Sequence, residues 1–274
     1  MRLLIILFVT ALAFTSCSND FAKVLKSKDL EYKLKKADEY FYNKKYRQAE
    51  ELYTELYPVF KGTQKFEDLY YKYAYCSYFQ KNYADAENLF KGFLEVFPNS
   101  PKEEEISYMR AYSYYLQSPK IELEQTNTAQ AIGMMQTFIN THPGSARAKS
   151  ALDIIDKSRA KLEIKEYQGA ELYYKLQHYR AAGTAFTNLL NNYPESTKGD
   201  EYKLRSIKSF YQFARLSVAE KQIERYEKVV AEVNDFTDRF PDSKLLKDAQ
   251  EYNNLSLNHI KDLQNEQAKT TTKR

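Results

Sequence analysis

The sequence predicts an all-α protein, a right-handed solenoid of about five paired-helix repeats closed by a C-terminal helix. Three observations predict it. Gly and Pro occur only seven times each in 274 residues, far below their usual shares of about 7% and 5%. Ala, Leu, Glu, Lys and Tyr recur at helical spacing. Four prolines also stand in like contexts: FPNS at 97–100, HPGS at 142–145, YPES at 193–196 and FPDS at 240–243. Each combines an aromatic ring, a proline that ends a helix and a serine able to cap the next one.

The first element is a leader, residues 1–16. Arg2 precedes an apolar run from Leu3 to Phe14, the charged and greasy regions of an export signal. Twelve residues make a helix of about 18 Å, short of the roughly 30 Å bilayer core. The small pair Thr15-Ser16 before Cys17 resembles the lipobox of bacterial lipoproteins, with Phe14 in place of the usual Leu. That resemblance implies a covalent lipid on Cys17, and two or more acyl chains hold a protein on a bilayer essentially permanently. The alternative is an ordinary cleavage near Ala13 or Ser16 that leaves an idle thiol. Residues 17–30 are expected to be the lipidated linker. The only other cysteine, Cys76, lies in an aromatic-rich helical run, so no disulfide framework is suggested.

The repeats then follow at about 31–64, 67–101, 104–146, 150–197 and 201–243. Fifteen residues before Pro98, Pro143, Pro194 and Pro241 stand Tyr83, Thr128, Tyr179 and Tyr226; three residues later come Ala86, Ala131, Ala182 and Val229. Repeat one has Tyr46 and Ala49 at this spacing, with Lys61 in its proline slot. Small side chains are needed where two helices cross closely, and Tyr53, Phe90 and Phe186 fill the adjoining groove. This pattern resembles the tetratricopeptide repeat (TPR). First helices agree through Ala37, Ala74 and Ala170, with Tyr40 and Tyr173 three residues on. Repeat three needs extra residues between its helices, around Ser118 to Thr128, and repeat five needs a similar insertion near LSVAEKQI. A cap at 244–266 and a disordered tail at 267–274 complete the expectation.

Composition and motifs point away from catalysis and nucleic acid. Loss of the leader takes the formal charge from +4 to +3, since Arg2 is the only charge lost, and acids and bases are interspersed; no nucleic-acid partner is implied. His142, His178 and His259 lie in different repeats without second ligands at i+3 or i+4, so no metal is expected. The seven glycines are isolated and form no phosphate cradle. Cys76 suits a buried inert thiol. Glu103-Glu104-Glu105, Asp38-Glu39 and Glu50-Glu51 suit solvated helix faces. No cofactor and no enzymatic activity are expected.

Tyrosine stands out, with 25 copies against no Trp. Tyr71, Tyr75 and Tyr78 in repeat two, and Tyr108, Tyr112 and Tyr115 in repeat three, fall at i, i+4, i+7 and make one stripe each. In the repeat register these positions face the concave groove. Two readings stay open: the rings replace Leu in packing, or they form a ladder for an extended peptide. In the second, Lys72, Arg110 and Lys33 are candidates for meeting a peptide carboxylate.

A lipidated chain of five such repeats resembles the BamD family of the outer-membrane β-barrel assembly machinery. The matching stretches are YRQA at 46–49, YMRA at 108–111, the lengthened segment of repeat three, KEYQGAELYY at 165–174 and YPES closing repeat four. The resemblance implies a non-catalytic scaffold, lipid-anchored at the periplasmic face of the outer membrane. Its C-terminal repeats would hold the periplasmic domains of a BamA-like barrel subunit. Its N-terminal repeats would receive the terminal signal of unfolded outer-membrane proteins, and other Bam lipoproteins could join. Where a basic residue of the family meets BamA, this chain has Ala185, so that contact must differ. The alternatives are a periplasmic TPR adaptor for envelope constriction or wall synthesis, which would usually carry an N-terminal coiled coil, and a SusD-like glycan-binding lipoprotein, which would favour Trp.

Overall fold

The computed structural model describes residues 20–272, with side chains to 269. Cys17 and the leader lie outside the described residues. Those described form twelve helices and no strand: α1 (residues 20–26), α2 (Leu30–Tyr42), α3 (Tyr46–Phe60), α4 (Phe66–Phe79), α5 (Tyr83–Val96), α6 (Glu103–Leu116), α7 (Thr126–Thr141), α8 (Ala148–Lys175), α9 (Tyr179–Asn192), α10 (Gly199–Arg215), α11 (Ala219–Arg239) and α12 (Leu246–Thr272). They gather into two compact units, Met1–Arg159 and Ala160–Arg274, with the division inside α8. In the first unit each of α2 to α7 packs on its sequence neighbours; in the second, α9 to α12 do the same. This is the TPR arrangement.

The small residues sit where the crossing argument needs them. Ala37, Ala49, Ala74, Ala86, Ala131, Ala170, Ala182 and Val229 are all buried, and Tyr53, Phe90 and Phe186 are fully buried beside them. Side chains this short let the backbones approach, and each aromatic ring fills the groove that results.

Each proline turn is built alike. Phe97, His142, Tyr193 and Phe240 end their helices with ψ between 54° and 63°, because the following proline disfavours the α region. Their carbonyls accept from the backbone N–H of Ser100, Ser145, Ser196 and Ser243 at 3.0–3.2 Å. Each serine Oγ then accepts from the N–H two residues on and donates to a carboxylate on the first helix of its own repeat: Glu67, Glu104, Glu163 and Asp200. The serine therefore caps the turn that leads into the helix and ties down the repeat it closes. Repeat one, with Lys61 for proline, turns through Gly62 at φ 84°, a conformation that favours glycine.

Turns between the two helices of a repeat also recur. Lys44, Lys81 and Gln177 have φ of 59°, 65° and 62°. The following residues Lys45, Asn82 and His178 donate N–H to Tyr40, Ser77 and Tyr173 carbonyls five positions back, the Schellman closure of a helix with a non-glycine residue in the left-handed position.

Several boundaries differ from the sequence expectation. Residues 20–26 are helical rather than linker, because Phe21, Val24 and Leu25 make one apolar face: Val24 is fully buried and Phe21 meets Tyr40 edge-on at 5.5 Å. The extra length of repeat five goes into α10 and α11, 17 and 21 residues long, leaving only 216–218 between them. In repeat three the extra residues do form a connection, 117–125, organised by the Gln125 amide, which donates to the Lys120 and Leu123 carbonyls at 2.7 and 2.9 Å. The first helix of repeat four starts at Ala148 and runs 28 residues. The expected disordered tail is helical to Thr272, since Glu, Gln, Ala and Lys at 266–269 favour helix and nothing breaks it.

Candidate protein-docking surfaces

In the first unit α4 and α6 present the tyrosines. Tyr71 and Tyr75 lie 4.7 Å apart and Tyr75 and Tyr78 6.0 Å apart, centroid to centroid. On α6 Tyr108, Tyr112 and Tyr115 stack in sequence at 5.8 Å, tilted 15° and 26°. The stripes adjoin: burial raises the pKa of the Tyr78 hydroxyl, and so do the neighbouring Tyr112, Tyr83 and Tyr108. Tyr75 is buried and donates to Glu105, which also accepts from Tyr71 at 2.9 Å. Burial first, and Glu105 second, push the Tyr71 hydroxyl up to about 12. The other five rings are partly exposed, so Tyr75 supports a surface that Tyr71, Tyr78, Tyr108, Tyr112 and Tyr115 offer. Tyr108 also bonds Ser150 at 2.9 Å.

The cations suggested as partners for a peptide carboxylate are committed elsewhere. Lys72 is buried between Asp38 at 2.9 Å and Asp68 at 2.6 Å. Lys33 is buried against Glu55, and Arg110 pairs with Glu87 at 2.8 Å. Each of these pairs joins two helices, so the three cations hold helices together. The acidic runs are likewise engaged rather than merely solvated. Glu104 takes Ser145 and Arg147, Glu105 takes the tyrosines, Asp38 accepts from Tyr53 at 2.6 Å, and Glu50 accepts from Ser77 and Gln80. A signal for one of these roles was present in the chain: the P-x-S serines of repeats two, three and five each have an acidic residue at or beside the start of the repeat, Glu67, Glu104 and Asp200.

The second unit carries a different surface. A groove of about 640 Å³ runs between α9 and α11 over Phe210 and Phe213 of α10. Arg225 lies 4.1 Å over the Phe213 ring and Lys228 4.6 Å over Phe210, and Arg180 and Lys221 line the rim. Gly183 makes the floor possible, because a Cβ there would meet Phe210 at 2.7 Å. On the other side of α9 a second groove of about 670 Å³ is lined by Tyr173, His178, Ala181 and Ala185 and shares Arg180, Thr184 and Phe213 with the first. Arg180 is exposed and has no ion-pair partner among the described residues. Sequence reasoning missed both grooves, because their walls come from helices up to fifty residues apart.

Groups suited to chemistry are scattered. His259 stacks on Tyr226 at 4.9 Å, His142 meets Glu103 at 3.4 Å and burial pushes the Cys76 thiol well up. Among the described residues no cluster of three or more His, Cys, Asp or Glu could hold a metal, and no helix is long and apolar enough to cross a membrane.

Comparison with known proteins gives three findings. No curated protein matches the chain. The solved complex of the yeast Sti1 TPR2AB domain with pHSP90 is similar at 12% identity and a TM-score of 0.37, over 83% of this chain and 97% of that one. A family model described as YfiO, outer membrane lipoprotein, matches residues 28–222. The match takes in both stripes of tyrosine, the groove lined by Tyr173, His178 and Ala185, and four of the five repeats, and the chain belongs to the YfiO family of outer membrane lipoproteins, the BamD family.

Proposed function

We propose that this protein is a non-catalytic scaffold of β-barrel assembly, anchored by lipid on Cys17 at the periplasmic face of the outer membrane. The observation that carries the proposal is the family match over residues 28–222. The first unit receives the terminal signal of unfolded outer-membrane proteins on the half-buried tyrosines of α4 and α6. Their hydroxyls can donate to peptide carbonyls while the ring faces take an aromatic side chain. The second unit holds the periplasmic domains of a BamA-like subunit at the grooves beside α9. Ala185 supplies no charge there, but Arg180 lines the same groove and meets an acidic side chain in its place. The scaffold works by holding two polypeptides on one chain, which raises the effective concentration of each near the other. Purification through this protein recovers a BamA-like subunit, and its depletion lowers barrel proteins in the outer membrane. Recovery of peptidoglycan-associated or division proteins alone would refute the reading.

A further inference from the structure

Every turn between the paired helices of the first unit exposes one large apolar side chain: Tyr42 at 70%, Phe79 at 44% and Leu123 at 57%. The turns adjoin, since Tyr46 at the start of α3 stacks on Phe79 at the end of α4, 4.6 Å between centroids, and Glu50 of α3 accepts from Gln80 at 2.6 Å. Cations flank the rings. Lys44, Arg47 and Lys81 are exposed; residues 42–47 hold no acid and 79–85 hold only Asp85. Exposed aromatic rings beside lysine and arginine make up the side-chain mixture of a lipid headgroup zone.

The chain enters the unit at this same edge. Phe21 packs on Tyr40, two residues before Tyr42, Asp20 lies within electrostatic reach of Lys36, and Lys23 is exposed on α1. Only two residues, Ser18 and Asn19, separate Cys17 from Asp20, and the three peptide steps span at most about 11 Å. A bilayer holding a lipid on Cys17 therefore lies next to the helix-pair turns of repeat one, not the proline turns at the far ends of the helices.

We infer that the turn edge of the first unit, Tyr42 and Phe79 with Lys44, Arg47 and Lys81, docks on an anionic lipid surface. This rests on lipidation of Cys17 as proposed above. The anchor then supplies affinity, and the edge supplies orientation by adding weak headgroup attraction at about 1 kcal/mol per cation. The docking fixes which face of the unit points away from the membrane.

The chain contains no Trp, so a single introduced indole is a unique reporter. Tyr42→Trp and Phe79→Trp probe the docked edge; Val59→Trp and Val96→Trp, 50% and 43% exposed near the opposite ends of α3 and α5, are the controls. Each full mature chain is reconstituted in vesicles containing phosphatidylglycerol and bromine-labelled acyl chains. The mass of the mature N-terminus is read first, so an absent lipid is recognised separately and counts against the anchor. Quenching at 42 and 79 is expected to exceed that at 59 and 96 by at least about twofold, as insertion at headgroup depth requires. It falls when Lys44, Arg47 and Lys81 are all changed to Glu, and falls less in phosphatidylcholine. Equal quenching at all four positions on a lipidated chain, or none at 42 and 79, would overturn the inference.

Discussion

The two units share one repeat skeleton and differ in what they do with charge and aromatic rings. In the first, Lys33, Lys72 and Arg110 are locked in ion pairs and the surface between them is tyrosine. In the second, Lys203 is locked in the same manner, against Glu232 at 2.6 Å and Asp235, but Arg180, Lys221, Arg225 and Lys228 surround an aromatic floor. Buried positions repeat because helix crossing demands it. Exposed positions diverge because nothing in the packing constrains them. One skeleton thereby carries two kinds of surface, one of tyrosine rings and one of charged side chains around an aromatic floor.

The largest effects should test whether the units are equivalent beneath the surface. Phe90 and Phe186 are fully buried at the same register, so Phe90→Ala and Phe186→Ala should each cost about 3–5 kcal/mol. Hydrogen exchange read by mass spectrometry should show protection falling first in the unit that carries the substitution. Equal loss in both units from either change would mean they unfold as one.

Ion pairing sharpens the contrast. Lys203→Ala leaves Glu232, a carboxylate with little exposure, with Lys228 as its remaining partner and should cost about 3 kcal/mol. Lys72→Ala strands the more exposed Asp38 and Asp68 and should cost about half of that. Denaturant titration of the two variants checks the order.

The pH responses should run in opposite directions. Burial raises the Glu232 pKa, but Lys203 and Lys228 outweigh it and the net shift is down. Its contribution is therefore present above the ordinary carboxylate pKa and lost as pH falls through the lower folded value. Burial lowers the Lys72 pKa, but Asp68 and Asp38 outweigh that and the net shift is up. Its contribution is present below the ordinary lysine pKa and lost as pH rises through the higher folded value.

On the tyrosine surface, replacing both Tyr108 and Tyr112 by Ser should weaken binding of a barrel-terminal peptide about tenfold. Tyr75→Phe should leave binding unchanged and cost about 1 kcal/mol of stability through the hydrogen bond lost to Glu105. Unchanged affinity in a normally melting Tyr108/Tyr112 double variant would make the stripe packing alone.

The smallest effects are gains. Lys44→Gly, Lys81→Gly and Gln177→Gly each relieve a positive φ and should stabilise by about 0.5–1 kcal/mol net of backbone entropy, seen as a small rise in Tm.

The pattern of what was legible in the sequence follows the same division. Ala49, Ala86 and Ala182, their aromatic partners and the four proline turns were readable because each answers a local geometric need at a fixed offset. The tyrosine stripes were readable as stripes, since i, i+4, i+7 fixes a face. The fate of Lys72 was not, because Asp38 reaches it from another helix thirty-four residues away, and no offset rule covers that. Phe21, Val24 and Leu25 carried a helical signal in a segment too short to weigh alone, and only docking against Tyr40 gives it a partner. The groove over Phe210 depended on Gly183, whose role is visible only once the ring is placed.

The division of labour between the surfaces is tested most directly by a photo-crosslinking residue placed at Tyr112 in one strain and at Arg225 in another, with the captured proteins identified by mass spectrometry. The account predicts unfolded outer-membrane barrel proteins at Tyr112 and a BamA-like subunit at Arg225. Capture of the same partner at both positions, or of wall and division proteins at either, would contradict it.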